Sequence, residues 1–240
     1  MAKPNIDNKK ILVFTGAGIS AESGLQTFRD SGGLWEGCDV MEVASPGGWA
    51  KDPGHVLAFY NSRRTEAALA RPNAAHLAVA TLEKKYEVMV VTQNVDDLHE
   101  RAGSTRVIHV HGQLNLARSC VDETLIYPIG DKPIHLGDVC EKGSQLRPHI
   151  VWFGEKIHNY DMARDFICQA SRVLAVGTSL SVYPIAGLLK KARGRAEKIV
   201  LAPDIEKKPY GFDWLRGNAT HLVPIITERW LSGLRVDQLK

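Results

Sequence analysis

Short apolar runs alternate along the chain with segments of helical periodicity. The runs are rich in β-branched residues and occupy residues 11–14, 88–91, 107–110, 173–176 and 199–202. HVLAFYNSRRTEAALA has the periodicity of a helix, and the closing stretch HLVPIITERWLSGLRV predicts a strand edge followed by an amphipathic helix. Because alternating strands and helices are typical of a parallel, doubly wound sheet, the sequence predicts an α/β fold.

Two stretches interrupt this alternation and predict a second, smaller domain built from two insertions. Residues 39–75 predict helices that break at proline-containing positions. Residues 114–155 are dense in turn residues and lack helical periodicity, which predicts an irregular insert. The remaining segments 10–38, 76–113 and 156–240 then form a Rossmann-like domain, and we expect a substrate cleft between the two domains.

Composition and charge exclude several classes of protein. The apolar content of 44% and the charged content of 24% are ordinary for a soluble globular protein. A formal charge of +3 is too small to predict direct binding of nucleic acid. No apolar run approaches the roughly 20 residues of a membrane span, and the start MAKPNIDNKK lacks the apolar core of a targeting segment. Four cysteines at scattered spacings predict no disulfide framework, which favours a reducing cytoplasm.

The stretch VVTQNVDDLHERAGSTRVIHVHG carries the strongest concentration of polar chemistry. Gln93, Asn94 and Asp96 follow directly after an apolar strand, and ligands of open α/β sheets bind at the carboxyl ends of strands. The next apolar run delivers His109 and His111, which are two residues apart and would share one face of a strand. We therefore expect the reaction centre here.

A glycine-rich turn follows the first predicted strand in KKILVFTGAGISAESG. Its pattern Gly16-x-Gly18-x-x-Ala21 stands between a strand and a helix start, which is the context of a dinucleotide-binding turn. Glycine allows the backbone to approach a pyrophosphate, and a helix N-terminus offers free N–H groups. A simple tight turn is the alternative. No clear acidic residue follows a second strand about 20 positions later, which disfavours an ordinary Rossmann dehydrogenase.

Two further groups of residues have a plain structural alternative. Phe28, Arg29 and Trp35 belong to a glycine-rich loop, in which Arg29 could pair with a phosphate and Phe28 could exclude water. The alternative is a surface loop with an aromatic anchor. Tyr60 and Arg63 lie three residues apart on a predicted helix and thus on one face, where a solvated arginine beside a half-buried tyrosine is the alternative.

Five motifs in order resemble those of the sirtuins, which are NAD-dependent protein-lysine deacylases: GAGISAESGLQTFRD, TQNVDDLHERAG, HVHG, RPHIVWFGE and GTSLSVYP. AFYNSRR resembles the Tyr-x-x-Arg acyl-selecting motif of the bacterial class III members. The resemblance extends from about Ile11 to the last predicted strand. It implies NAD-dependent removal of acetyl, succinyl and malonyl groups from protein lysines, with nicotinamide and O-acyl-ADP-ribose as products, and it implies a monomer.

The resemblance also implies roles for individual residues. His111 is the general base and Asn94 the second catalytic residue, and an imidazole that titrates near neutral pH suits proton abstraction from a ribose hydroxyl. The implied cofactor-binding residues are Gly16, Ala17, Gly18, Ser20, Glu22, Phe28, Arg29, Trp35, Gln93, Asp96, Gly177, Thr178, Ser179 and Ala219. The implied substrate-binding residues are Tyr60, Arg63, Val151, Phe153, Gly154, Glu155 and Val182. Two strand-like segments, Val151–Glu155 and Leu180–Tyr183, would clamp an extended peptide by main-chain pairing.

The sequence departs from the sirtuin pattern at the structural zinc. Neither of the two Cys-x-x-Cys pairs is present, although Cys120 and Cys140 fall near their expected positions. A closed zinc site prefers four well-spaced nitrogen or sulfur ligands, so the sequence predicts no metal. The insert would instead be held by apolar packing of Leu125, Ile126, Tyr127, Ile129, Ile134 and Leu136.

Two other activities remain compatible with these motifs. Protein ADP-ribosyl transfer or NAD hydrolysis would keep the ribose chemistry and change the acceptor, but the intact peptide-clamping segments argue against both. An NAD-sensing module without activity would predict damage at His111 or Asn94, and both residues are intact.

Overall fold

The computed structural model describes residues 7–27, 39–205 and 207–236. Its nine strands are β1 (Asp7–Thr15), β2 (Glu87–Thr92), β3 (Val107–His109), β4 (Gly112–Ser119), β5 (Ile126–Pro128), β6 (Leu146–Ile150), β7 (Ala170–Val176), β8 (Glu197–Leu201) and β9 (Asp213–Leu215). Six of these form one parallel sheet in the order β3-β2-β1-β7-β8-β9. The other three form an antiparallel sheet in the order β5-β4-β6. The predicted α/β class is thus confirmed.

The parallel sheet is buried on both faces, which explains the continuous apolar runs of its strands. Ile11 to Phe14 of β1 are fully buried, and alternate residues of the run belong to different apolar clusters on the two faces. Because Thr15 is in register with Thr92 of β2 and Val176 of β7, the three carboxyl ends lie side by side. The chain order reverses at β1, and such a switch point is where open sheets bind ligands.

Eight helices surround the two sheets within the described residues. They are α1 (Gly18–Ala21), α2 (Val40–Val43), α3 (Pro46–Lys51), α4 (Pro53–Leu69), α5 (Ala74–Thr81), α6 (Leu98–Arg101), α7 (Tyr160–Ile167) and α8 (Ala219–Leu231), with short 3-10 helices at Leu82–Lys84 and Ile185–Lys191. The predicted breaks at prolines are confirmed, since α3 and α4 each begin at a proline. Ser45 and Asp52 cap these two helices by accepting from Gly48 N and His55 N.

The predicted strand edge near the C-terminus is wrong, because His221–Pro224 lies inside α8. Pro224 removes one helical hydrogen bond, but the helix continues through it. The buried residues Ala219, Val223, Ile226 and Trp230 form a helical stripe, and all four belong to the apolar cluster beneath the parallel sheet. Burial of that stripe outweighs the local preference for an extended chain.

The prediction of an irregular insert is also wrong in part, because residues 114–155 contain most of the antiparallel sheet. This sheet packs on α4 through Leu57, Ala117 and the buried Ile134. Of the residues expected to form its core, Ile126 is 42% exposed and Leu136 is 64% exposed. The strands are short and far apart in sequence, so their periodicity is not visible along the chain.

The described helices include none that is both long and apolar enough to cross a lipid bilayer. The division of the chain into two domains at the predicted boundaries stays a prediction.

Candidate active site

A cavity of about 380 Å³ lies where the carboxyl ends of β1, β2 and β7 meet. Its opposite wall is formed by α4 and by the segment that follows β6. Most of the predicted site residues line this one cavity: Gly16, Ala17, Gly18, Ser20, Tyr60, Arg63, Gln93, Asn94, Asp96, His111, Val151, Phe153, Gly154, Glu155, Gly177, Thr178, Ser179 and Val182. Residues scattered over more than 160 positions of sequence therefore converge on a single space.

The glycines of the turn after β1 permit a close approach to the loop after β7. Gly16 N donates to Val176 O at 3.1 Å, and Gly18 N donates to Gly177 O at 2.8 Å. A Cβ atom on Gly16 would lie 2.8 Å from Gly177 O, and one on Gly18 would lie 2.7 Å from Gly177 Cα. Any side chain at these positions would force the two loops apart, so this wall of the cavity requires glycine.

Asn94, Ser20 and Asp96 form a buried hydrogen-bonded chain at the base of the cavity. Asn94 Nδ2 donates to Ser20 Oγ at 3.1 Å, and Ser20 Oγ donates to Asp96 Oδ2 at 3.1 Å. Burial raises the pKa of Asp96, although N–H donation from Leu98 and the Ser20 bond oppose the rise. Asn94 Oδ1 is buried and has no partner within the described chain. An orphaned acceptor beside a hydrogen-bonded carboxyl is the kind of arrangement that a polar ligand completes.

His111 lies in the turn between β3 and β4, and its ring is fixed by the loop after β2. Its Nδ1 is 3.2 Å from Gln93 O. Because a carbonyl oxygen only accepts, Nδ1 carries the proton in the neutral ring, and Nε2 is left as a proton acceptor. The Gln93 side chain is held in turn by Thr178, whose Oγ1 donates to Gln93 Oε1 at 2.8 Å. The sequence expectation of a general base at this position therefore agrees with the geometry of the ring, although the role itself stays a prediction.

The pKa of His111 is lowered, because burial disfavours the imidazolium and the nearby His158 adds to this, while the Gln93 carbonyl opposes it. A general base must be neutral to act, so activity should fall as pH drops through its pKa. We expect the midpoint of the acid limb of a kcat/KM profile below pH 6.5, so that more than half of the maximal activity remains at pH 6.5. An acid limb centred above pH 7 would contradict this assignment.

His109 cannot share the role of proton acceptor, because both of its ring nitrogens are occupied. Nδ1 is 2.9 Å from Asn94 O, and Nε2 is 2.7 Å from Glu100 Oε1. Burial lowers the pKa of His109, but the Glu100 carboxylate more than offsets this, and the net pKa is raised. His109 thus anchors the loop that carries Asn94.

Tyr60 and Arg63 lie on α4 at the far end of the cavity. The Tyr60 hydroxyl accepts from Trp152 Nε1 at 3.1 Å and retains its own proton to donate. Arg63 Nη2 is 2.5 Å from Glu66 Oε1, and Glu66 lines the same cavity. Sequence reasoning missed Glu66, although its i,i+3 spacing from Arg63 on a helix is the signal that could have revealed the pair.

The two segments expected to clamp a peptide are not strands in this structure, and their pairing with a bound peptide stays a prediction. Val151–Glu155 and Leu180–Tyr183 both flank the cavity. Val151 N already donates to His111 O at 2.9 Å, and Phe153 N donates to Ala44 O at 2.9 Å. These N–H groups are consumed within the protein, so they are not available to pair with a peptide.

Glu155 serves a structural purpose in this segment. Its carboxylate accepts from Arg118 at 2.9 Å and from Arg147 at 2.8 Å, and both arginines are largely buried. Burial raises the pKa of Glu155, but these bonds outweigh the effect and lower it. The carboxylate thus balances two buried cations beside the cavity.

Five of the predicted cofactor-binding residues are not among the described residues that line the cavity. Phe28, Arg29 and Trp35 lie outside the described residues. Glu22 and Ala219 do not line the cavity. The Glu22 carboxylate instead accepts from Thr220 N at 3.0 Å and from Thr220 Oγ1 at 2.6 Å, and so attaches the loop after α1 to the start of α8.

The donors available in the small sheet do not fit a structural zinc ion. Cys140 is buried with its Sγ 3.4 Å from Ser119 Oγ, whereas Cys120 is exposed. Asp122 is paired with Lys142 at 2.7 Å. No cluster of three or more metal-binding side chains occurs among the described residues. The described donors of the small sheet therefore do not form the closed set of four ligands that a structural zinc site needs.

Metal analysis of purified protein should find far less than one zinc per chain, and a chelator should leave the unfolding temperature unchanged. Plasma emission spectrometry and thermal unfolding with and without EDTA check both expectations. Zinc near one equivalent, or a marked destabilisation by EDTA, would overturn them.

Comparison with known proteins yields consistent matches along the chain. A sequence model of the Sir2 family matches residues 16–184. A protein of Helicobacter pylori strain J99 named NAD-dependent protein deacylase is 45% identical over 234 residues, which cover 97% of this chain and all of that protein. A Caulobacter vibrioides protein of the same name is 44% identical over 236 residues, which cover 94% of this chain and 98% of the other.

Solved structures show the same similarity in three dimensions. A Sir2 homologue solved with ADP-ribose superposes with a TM-score of 0.86 at 37% identity, and the match covers 96% of each chain. A Sir2 homologue in complex with NAD superposes with a TM-score of 0.84 at 36% identity, covering 95% of this chain and 91% of the other.

Proposed function

This chain belongs to the Sir2 family, and we propose that it uses NAD to remove acyl groups from lysine side chains of proteins. Relatives that match nearly its whole length are named NAD-dependent protein deacylases. A Sir2 structure with a TM-score of 0.77 and 26% identity was solved with a deacetylated peptide and an acetylated ADP-ribose, two of the three products of such a reaction.

One observation carries the proposal: an imidazole with an available Nε2 lines the same cavity as the glycine turn and the Asn94–Ser20–Asp96 chain. The residues present fit the dinucleotide, because Asn94 Oδ1 is an orphaned acceptor and the glycine wall leaves backbone rather than side chains at the surface. Gly16, Gly18 and Gly177 would face its phosphates.

When bound, NAD supplies a ribose that takes the acyl group as nicotinamide leaves. His111 accepts a proton at Nε2, while its Nδ1–H bond to the Gln93 carbonyl keeps the ring in one orientation. Asn94 positions polar groups at the base of the cavity through the free Oδ1. The largely apolar residues Val151, Trp152 and Phe153 exclude water from the acyl group.

We extend the proposal to acyl groups that end in a carboxylate, such as succinyl and malonyl, beside acetyl. A guanidinium and a phenol at the far end of the cavity suit such a tip. The Glu66 carboxylate competes for Arg63, which supports a dual preference rather than a strict one. A cytoplasmic location and a monomeric state remain predictions from the sequence.

A panel of otherwise identical acetyl, propionyl, malonyl and succinyl peptides, each with and without NAD, tests the proposal. Mass spectrometry should find one nicotinamide and one O-acyl-ADP-ribose for each lysine released, and no release without NAD. Transfer of ADP-ribose to the peptide, or nicotinamide release that does not require a peptide, would identify one of the two alternative activities instead.

A further inference from the structure

Two exposed lysines that form no ion pair within the described residues lie next to residues of the cavity wall. Lys156 is exposed and stands between Glu155 and Ile157, both of which line the cavity. On the other wall, Lys190 Nζ lies 6.0 Å from the centroid of the Tyr183 ring. Tyr183 also lines the cavity and is 66% exposed. Both lysines are thus next to residues that line the cavity, although neither lines it.

The carboxylates that line the cavity do not neutralise these lysines. Glu66 is paired with Arg63, and Glu155 is paired with two arginines. Asp96 is buried at the base and accepts from Ser20. Asp204 on the β8 side is exposed and accepts from Ile205 N, and its carboxylate forms no ion pair with either lysine. Within the described chain, neither Lys156 nor Lys190 has an ion-pair partner.

The exposed cations that follow Lys190 do not belong to the mouth of the cavity. Arg193 Nε donates to Cys168 O just before β7 begins, so Lys191 and Arg195 lie toward the amino ends of β7 and β8. Glu197, which follows, is buried and accepts from Val236 N. The positive charge near the mouth is therefore that of Lys156 and Lys190, and a formal charge of only +3 for the whole chain adds little to it.

We propose that this mouth selects acyl-lysine sites flanked by aspartate or glutamate, with Lys156 and Lys190 as specificity-determining residues. The inference rests on the proposed function and names its substrate class. Acidic side chains on either side of the modified lysine would meet the two cations as the chain enters. Each exposed ion pair between one of these lysines and a peptide carboxylate should change kcat/KM by up to about fivefold, chiefly through KM. Salt should weaken the effect.

Three acetyl-lysine peptides of equal length test this, with the modified lysine flanked by acidic, neutral or basic residues. For the native protein, kcat/KM should be about fivefold or more higher with the acidic than with the neutral peptide, and lowest with the basic one. Raising the salt from about 0.05 M to about 0.5 M should shrink the ratio. In a Lys156→Glu/Lys190→Glu variant the order of acidic and basic peptides should reverse.

Lys9→Glu/Lys84→Glu is the matched control, because both lysines are exposed and lie toward the opposite edge of the parallel sheet, before β1 and β2 reach the cavity. It removes the same total charge and should keep the native ratio. Normal turnover with equal kcat/KM for all three peptides, or a ratio that falls equally in both variants, would overturn the inference alone. Turnover of none of the peptides would overturn the proposed function together with it.

Discussion

Replacing His111 by alanine should lower kcat for deacylation by about 10²- to 10⁴-fold, the usual contribution of a positioned general base. The ring is fixed by the Gln93 carbonyl, and no other imidazole of the described residues lines the cavity. Binding of NAD and of the peptide should change little, since the glycine wall and the acyl end of the cavity are untouched. Initial rates by mass spectrometry and affinities by calorimetry separate the two effects.

His135→Ala is the matched control, because His135 is exposed on the small lobe and does not line the cavity. It should keep the native rate. A His111→Ala protein that retains more than about a tenth of the native kcat would show that another group abstracts the proton. A proportional loss of folded protein in the same sample would be visible by circular dichroism and must be corrected for.

Replacing Arg63 by methionine should depress kcat/KM for a succinyl-lysine peptide about 10- to 100-fold, with a much smaller loss for the acetyl-lysine peptide. A charge-assisted hydrogen bond is worth about 1.5–3 kcal/mol, and only the succinyl tip carries the carboxylate that forms it. Methionine preserves most of the volume of the aliphatic stem beside Phe59, over which the guanidinium lies at 5.8 Å.

Replacing Glu66 by glutamine should shift the preference between succinyl-lysine and acetyl-lysine peptides in the opposite direction. Removing the carboxylate that pairs with Arg63 at 2.5 Å should raise the succinyl-to-acetyl ratio a few-fold, because the guanidinium then keeps only neutral internal partners. The two variants therefore move one ratio in opposite directions. Equal losses on both peptides for Arg63→Met, or an unchanged ratio for Glu66→Gln, would contradict a role for this pair in acyl selection.

The parallel sheet was predictable because its strands are buried on both faces. Residues 11–14 and 88–91 read as continuous apolar runs for that reason, and the glycine turn and the Gln93–Asp96 cluster fall directly after them. Parallel strands bring their carboxyl ends to one edge, so local sequence signals were sufficient to gather the candidate site.

The predictions from sequence are wrong where contacts between residues far apart in the sequence determine the local structure. The α8 helix passes through Pro224 because its stripe around Val223 and Trp230 is buried against the sheet, which the sequence alone does not reveal. The segment Val151–Glu155 reads as a strand, but its N–H groups bind His111 O and Ala44 O and hold it in a turn-like path. The pairing of Glu66 with Arg63, by contrast, is predictable from their i,i+3 spacing on a helix.

A crystal structure of the protein with NAD and an acyl-lysine peptide bound together tests the central claim most directly. We expect the dinucleotide against the Gly16–Ser20 turn, the acyl-lysine threaded between Phe153 and Val182, and the His111 ring in contact with both ligands. A dinucleotide bound away from that turn, or an acyl-lysine that leaves the His111 ring out of reach, would contradict it.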